Sequence, residues 1–285
     1  MRSALLKLLF TELISSNMTQ SPQSIWTDIE RIRTQAPLVH NITNFVVMNN
    51  TANALLALGA SPAMVHAPDE VEEFVSISSA LVVNIGTLDA TFVAGMKLAM
   101  RQAKTLGKPI VFDPVGVGAT TFRNRVSEEL LALAPPDIIR GNASEIMALA
   151  GLNAQTKGVD SLYGSEAAVD AAKRLSSVWG SVVVISGATD YIIQGEQTAV
   201  VANGHPLMTK VTGMGCTATA LTGAFAAVNT NYFQAATHAM AVMGIAGELA
   251  AEKKLAPGSL QVNFLDALYE LTESEIDERL KLTWA

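Results

Sequence analysis

Short apolar runs alternate with longer amphipathic stretches along this chain, and the hydrophobic period switches between the two. The runs Pro62–His66, Ala80–Ile85, Pro109–Asp113, Asp137–Arg140 and Ser181–Ser186 are mostly rich in Val, Ile or Leu and predict strands. The longer stretches predict helices over Ser24–Gln35, Thr43–Leu58, Val71–Ser78, Ala90–Leu106 and Asn124–Leu133. Further helices are predicted over Ala143–Ala150, Ser165–Val178, Cys216–Val228, Phe233–Ala251 and Gly258–Thr272. Tyr191–Ile193 and Ala199–Val201 flank Gln194-Gly195-Glu196 and predict a small hairpin arm. Strands alternating with helices predict an α/β fold with a mostly parallel central sheet flanked by helices on both faces. No repeat or long linker interrupts the pattern.

Polar residues gather at the ends of the predicted strands: Met64 beside the first, then Asn84 with Gly86, Asp113, Arg140 with Asn142, and Ser186. Open α/β sheets bind ligands at the carboxyl ends of their strands. The stretch Lys210–Phe225 adds a glycine-rich turn that runs straight into a small-residue apolar helix. Gly213 and Gly215 allow close backbone approach to a ligand. A helix N-terminus favours phosphate or developing negative charge. A crevice at the strand ends, closed by the Gly213–Cys216 turn, points to phosphoryl transfer.

Composition narrows the field. The chain has 285 residues, 49% of them hydrophobic and 16% charged, which suits one domain with a large core. A formal charge of −7 argues against nucleic-acid binding. The single cysteine excludes an internal disulfide framework and a cysteine-built zinc site. So few charges favour self-association, with apolar surface covered by other copies. At the start, Lys7 interrupts the leucine run and no small-x-small cleavage site follows, so neither a signal peptide nor a membrane anchor is expected. Residues 1–17 are read as an extension ahead of a second start at Met18, residues 18–285 as a single domain, and the location as cytoplasmic.

Each candidate residue has a plain reading beside a functional one. Asn142 and Glu145 have capping-box spacing, while Glu145 would also suit Mg²⁺, directly or through water. Asp113 starts an Asp-Pro turn, or supplies a second carboxylate to the same ion. Arg140 suits a surface ion pair or bidentate phosphate binding. Ser186 caps a turn or donates to phosphate. In Pro37–Asn44, residues Asn41, Thr43 and Asn44 are placed to cap the next helix, while Asn44 also suits a heterocyclic substrate. His40 reads as structural. Met64 is core or a ligand contact. Cys216 is a buried small hydrophobe, or a polar contact whose pKa the helix N-terminus lowers. The four histidines stand in no motif that supports covalent cysteine catalysis.

Five strings in this order, Pro-Leu-Val-His-Asn-Ile-Thr-Asn, Leu-Gly-Ala-Ser-Pro-Ala-Met, Phe-Asp-Pro-Val-Gly-Val-Gly-Ala-Thr, Ile-Arg-Gly-Asn-Ala-Ser-Glu and Lys-Val-Thr-Gly-Met-Gly-Cys, resemble hydroxyethylthiazole kinases. These are thiamine-salvage enzymes of the ribokinase-like superfamily. The resemblance implies ATP-dependent phosphorylation of 4-methyl-5-(2-hydroxyethyl)thiazole with Mg²⁺. It matches Asn44, Met64 and Gly213 to substrate contacts, Arg140 and Ser186 to ATP contacts, and Asp113 and Glu145 to acidic residues around the metal. Cys216 matches the residue beside the substrate hydroxyl, where many ribokinase-like kinases carry an aspartate. A homotrimer with active sites between subunits is also implied. The alternatives are a related kinase for another small alcohol, an ATP-dependent repair dehydratase and a nucleotide-binding sensor.

Overall fold

The computed structural model describes residues 22–151, 165–253 and 256–285. The expected extension over residues 1–17 lies outside them. In chain order the elements are α1 (Pro22–Gln35), β1 (Leu38–Ile42), α2 (Met48–Leu58), β2 (Ser61–Ala63), α3 (Val71–Ile77), β3 (Ala80–Asn84) and α4 (Ala90–Leu106). Then come β4 (Ile110–Asp113), α5 (Thr121–Leu133), β5 (Ile138–Asn142), α6 (Ala143–Leu149), α7 (Ser165–Trp179), β6 (Val182–Ser186), β7 (Asp190–Gln194) and β8 (Gln197–Val201). A 3-10 turn (Pro206–Lys210) leads to α8 (Met214–Val228), α9 (Tyr232–Lys253), α10 (Pro257–Glu270), α11 (Glu273–Arg279) and β9 (Leu282–Trp284).

The strands form one sheet in the order β2-β1-β3-β4-β5-β6-β7-β8-β9. Pairing is parallel from β2 to β6 and antiparallel from β6 to β9. Strand side chains alternate between two apolar layers. Val82, Val111, Ile138 and Val184 pack with α1, α2, α8, α9 and α10. Leu81, Val83, Phe112, Ile139 and Val183 pack with α3 to α7 on the opposite face. The α/β architecture with helices on both faces is therefore as expected.

Local chemistry sets several boundaries. Asp89 caps α4 by accepting from the Phe92 N–H, and Gly107 ends that helix in the left-handed region. Thr120 caps α5, which starts three residues before the predicted Asn124. Helix α8 is buried without a break from Thr217 to Ala226, because its Ala, Thr and Gly side chains let it lie close against the sheet. A Cβ on Gly223 would sit 2.5 Å from Val82 Cγ2 and 3.2 Å from Val39 Cγ1.

Four expectations need correction. Part of Pro37–Asn44, expected only as a polar cluster ahead of a helix, is strand β1, hidden because polar His40 and Asn41 are buried within it. Hydrogen bonds accommodate them in part: His40 Nε2 pairs with the Val65 carbonyl at 2.7 Å, and Asn41 Nδ2 donates to the Val39 carbonyl at 2.9 Å. The helix expected from Thr43 begins at Met48, and its cap Val47 makes no side-chain capping bond. Asn44 instead accepts from the Val46 N–H at 3.2 Å, within the turn before that helix. The strand expected over Pro62–His66 is Ser61–Ala63. Elements α11 and β9 had no counterpart in the sequence reading. Thr272 and Glu275 form a capping box on α11, and β9 pairs antiparallel with β8 at the sheet edge.

Gly223→Ala should destabilise the protein by about 1–3 kcal/mol, because the added methyl has no room against Val82. Thermal or denaturant unfolding reads this directly; an unchanged midpoint would show that α8 can move off the sheet.

Candidate active site

The parallel register brings the chemistry to one rim. Asn84 at the end of β3 pairs with Asp113 at the end of β4, and Asn142 of β5 with Ser186 of β6. Arg140 of β5 donates from Nη2 to Ser186 Oγ at 2.7 Å, and Ser186 Oγ donates to the Gly141 carbonyl at 3.3 Å. The Arg140 guanidinium also lies against the start of α8. A Cβ on Gly215 would sit 2.9 Å from Arg140 Nη1, so only glycine permits this approach. Gly213, at φ +84°, is the residue before α8 and brings no side-chain cap. Its Cα lies so close to Val47 that a Cβ would sit 2.7 Å from Cγ1. The first N–H groups of α8 therefore open the helix without a side-chain acceptor at the cap, a site suited to an anion.

A chain of hydrogen bonds runs behind this turn. Asn44 Nδ2 donates to Cys216 Sγ at 3.4 Å and to Asn84 Oδ1 at 2.9 Å. Asn84 Nδ2 donates to Asp113 Oδ2 at 2.8 Å, and Thr219 Oγ1 donates to the same oxygen at 2.7 Å. Asp113 is fully buried, and its Oδ1 has no hydrogen-bond partner. Burial pushes its carboxyl up to about 6; Arg140 pulls the value back, while Glu145 adds to the rise. An unpartnered buried carboxylate oxygen is costly, and a ligand or hydrated cation would satisfy it.

Glu145 makes the expected capping box: Asn142 Oδ1 accepts from its N–H at 2.9 Å, and its Oε2 accepts from the Asn142 N–H at 2.9 Å. Its Oε1 accepts from the Gly116 N–H at 2.8 Å, which ties down the loop after β4. The expectation of a lowered Cys216 pKa is corrected. Burial raises the thiol and the Asp113 charge adds to this, outweighing the Asn44 hydrogen bond. Met64 lies one residue past edge strand β2, which pairs with β1, the strand that leads to Asn44.

Three participants were missed from sequence. Thr219 lies three residues after Cys216 on α8, and that spacing puts the two on one helix face. Arg123 Nη1 donates to the Ile85 and Val115 carbonyls and its Nη2 to Gly86, stapling the loops after β3 and β4. Asp190 opens β7 just beyond Ser186, accepts from the Gly187 N–H at 2.9 Å, and is pushed up to about 6 by burial. Neither Arg123 nor Asp190 stands in a motif that announces its partner.

Residues 29–274 match the model of the hydroxyethylthiazole kinase family. The chain belongs to that family. A hydroxyethylthiazole kinase from Syntrophus aciditrophicus is 57% identical over 266 residues, spanning 93% of this chain and 98% of the relative. The solved structure of a hydroxyethylthiazole kinase protein from Pyrococcus horikoshii superposes with a TM-score of 0.85 at 46% identity, covering 92% of this chain and 99% of that one. Pyridoxal kinase from Staphylococcus aureus, solved in complex with ADP, shares the fold at 15% identity and a TM-score of 0.63, over 87% of this chain and 99% of that one. The chain is thus a phosphotransferase, and its fold is shared with pyridoxal kinase.

With its pKa raised, Cys216 stays protonated through neutral pH and becomes the reactive thiolate only above the ordinary thiol range. Alkylation by iodoacetamide, followed by mass spectrometry, should be slow at pH 7. Its rate should rise with a midpoint above the free-cysteine value of about 8.5. A midpoint below that value would mean that the helix N-terminus outweighs burial.

Proposed function

We infer that the protein transfers the γ-phosphoryl group of ATP to the hydroxyl of 4-methyl-5-(2-hydroxyethyl)thiazole, in thiamine biosynthesis or salvage. The observation that carries this reading is the convergence of the Arg140–Ser186 pair with the uncapped start of α8 at Gly213–Cys216. A guanidinium, a hydroxyl and helix N–H groups are a phosphate-binding set. The family membership supplies the acceptor.

In this reading Arg140 and Ser186 hold ATP across the ends of β5 and β6. The N–H groups after Gly213 stabilise charge on the transferring phosphoryl group. Met64, Asn44 and Gly213 contact the thiazole, whose hydroxyl lies beside Cys216. The new bond joins that hydroxyl oxygen to the γ-phosphorus as the bridging bond to the β-phosphate breaks, ADP leaves, and the hydroxyl proton passes to an oxygen of the transferred phosphoryl group and on to water. Cys216 accepts a hydrogen bond from Asn44 and keeps its own proton, so it orients the hydroxyl rather than acting as a strong base. Phosphoryl transfer accommodates this because positioning and charge stabilisation dominate it.

Mg²⁺ fits the carboxylates with one distinction between them. Among the described residues no group of three or more His, Cys, Asp or Glu side chains could hold a metal ion by itself. Mg²⁺ does not need such a cage, since it keeps several waters and binds substrate phosphates. Asp113 offers a buried oxygen without a partner, whereas both oxygens of Glu145 already accept one backbone N–H each. Asp113 would serve as the nearer acidic group and Glu145 through water. When bound, the ion supplies charge neutralisation on the β- and γ-phosphates.

A cytoplasmic homotrimer with active sites between subunits belongs to the same reading. Phe45 and Val46, directly after Asn44, are 59% and 61% exposed, which suits cover by another copy. Among the described residues no helix is long and apolar enough to cross a membrane.

The test is ADP release with product mass, using purified protein, MgATP and the thiazole alcohol. Thiazole-dependent ADP and a product heavier by one phosphoryl group are expected. ATP binding without thiazole product would redirect the reading to other small alcohols. Arg140→Ala should raise KM for ATP by about 10- to 100-fold, the worth of a charge-assisted hydrogen bond; an unaltered KM would remove Arg140 from the nucleotide site.

A further inference from the structure

The two oxygens of Asp113 have different surroundings. Oδ2 accepts from Asn84 Nδ2 at 2.8 Å and from Thr219 Oγ1 at 2.7 Å, while Oδ1 accepts from no group among the described residues. The amide orientation of Asn84 is fixed by its other end. Its Oδ1 accepts from Asn44 Nδ2 and from the Gly86 N–H, both at 2.9 Å, so only the amide nitrogen can face the carboxylate. The Thr219 hydroxyl has one proton and two acceptors within reach. The Gly215 carbonyl lies at 3.3 Å, and Asp113 is both nearer and charged. The two donors also rest on rigid elements. Asn84 pairs in register with Asp113 across β3 and β4, and Thr219 is fully buried on α8. A free aspartate carboxyl turns easily about its last torsion, which is broad and roughly two-fold. This one is held at one oxygen from both sides.

We propose that Asn84 and Thr219 are positioning residues for Asp113: by occupying Oδ2 they leave Oδ1 as the single carboxylate oxygen presented to the magnesium–phosphate group of a bound nucleotide. This rests on the phosphotransfer reading above and assigns roles to two residues that do not touch substrate. Mg²⁺ demands near-ideal octahedral geometry, so a carboxylate free to rotate or to bind through both oxygens would hold the hydrated ion less well. Loss of such an outer partner costs about 10- to 100-fold in metal affinity or activity. Asn84 also joins the clamp to Asn44 and thence to Cys216, so the acidic group and the residue beside the acceptor hydroxyl share one frame.

Thr219→Val preserves the volume of the side chain and removes its hydroxyl, while Thr219→Ser retains the hydroxyl. Calorimetric titration with MgADP and with ADP in EDTA separates metal-linked binding from nucleotide binding. Thr219→Val should bind metal-free ADP as the unsubstituted protein does, and its preference for MgADP should fall about 10- to 100-fold. The Mg²⁺ concentration for half-maximal turnover should rise alongside, and Thr219→Ser should restore both. A folded Thr219→Val with unchanged MgADP preference and unchanged Mg²⁺ dependence overturns the proposal, as does an unsubstituted protein with no preference for MgADP. Absence of thiazole turnover in the unsubstituted protein would fail the functional reading alone, because the ADP titrations still decide the clamp. Should Thr219→Val lack a cooperative thermal transition, the structure of the unsubstituted protein with MgADP decides. Asp113 Oδ1 turned to the ion or its waters supports the clamp, and Oδ2 in that place overturns it.

Discussion

The close approach of α8 to the sheet is the constraint on which the rim depends. A helix aims its N-terminus at a strand end only if its body can lie over the strands, and bulky side chains would hold it off. Gly223 meets Val82 and Val39 where a Cβ would clash, and the residues around it are Ala, Thr and other small groups. At the N-terminal end Gly215 does the same for the Arg140 guanidinium. The same helix therefore needs small residues twice, once for packing and once for chemistry. Its low amphipathicity follows, because both its sides are buried between the sheet and α9.

Burial also governs the electrostatics. Asp113, Asp190 and Cys216 are all pushed towards their neutral forms, and in each case desolvation is the largest cause. Arg140 opposes this for all three, so one guanidinium serves as the positive centre of the rim. Its own hydrogen bond goes to neutral Ser186 rather than to a carboxylate. An arginine locked bidentately to an acid would have little left for a phosphate; this one keeps donor capacity.

The fold was legible where local pattern and final environment agree. Runs such as Ala80–Asn84 and Val182–Ser186 are apolar up to their last residue because both faces of the sheet are covered, and the alternation of strand and helix follows directly. Strand β1 escaped because His40 and Asn41 sit inside the sheet, where His40 Nε2 finds the Val65 carbonyl, a partner 25 residues away that no local pattern reveals. The rim residues Asn44, Asp113, Arg140, Ser186, Gly213 and Cys216 were legible as polar or glycine punctuation at element ends. Their connections were not. The Arg123 staple spans 38 residues to Ile85, and Thr219 reaches Asp113 across 106 positions. Such bonds depend on tertiary register. The Cys216 pKa was misjudged for a related reason: helix position can be read from sequence, whereas desolvation by surrounding layers cannot.

A cysteine where many ribokinase-like kinases carry an aspartate changes what the rim can hold. A carboxylate at Cys216 would add a second negative group near buried Asp113, already destabilised as an anion and already beside Glu145. Like charges in one buried site force at least one to take up a proton. A neutral thiol avoids that conflict. It also makes a weak acceptor for Asn44, whose Nδ2 donates to Asn84 as well and whose Oδ1 accepts from the Val46 N–H. The chain of hydrogen bonds therefore diverges at Asn44, whose Nδ2 donates to Cys216 Sγ on one side and to Asn84 Oδ1 on the other, while Asn84 Nδ2 donates onward to Asp113 Oδ2. Under the proposed function, such a rim would position an acceptor hydroxyl without a strong base, which suits a phosphoryl transfer dominated by alignment and charge.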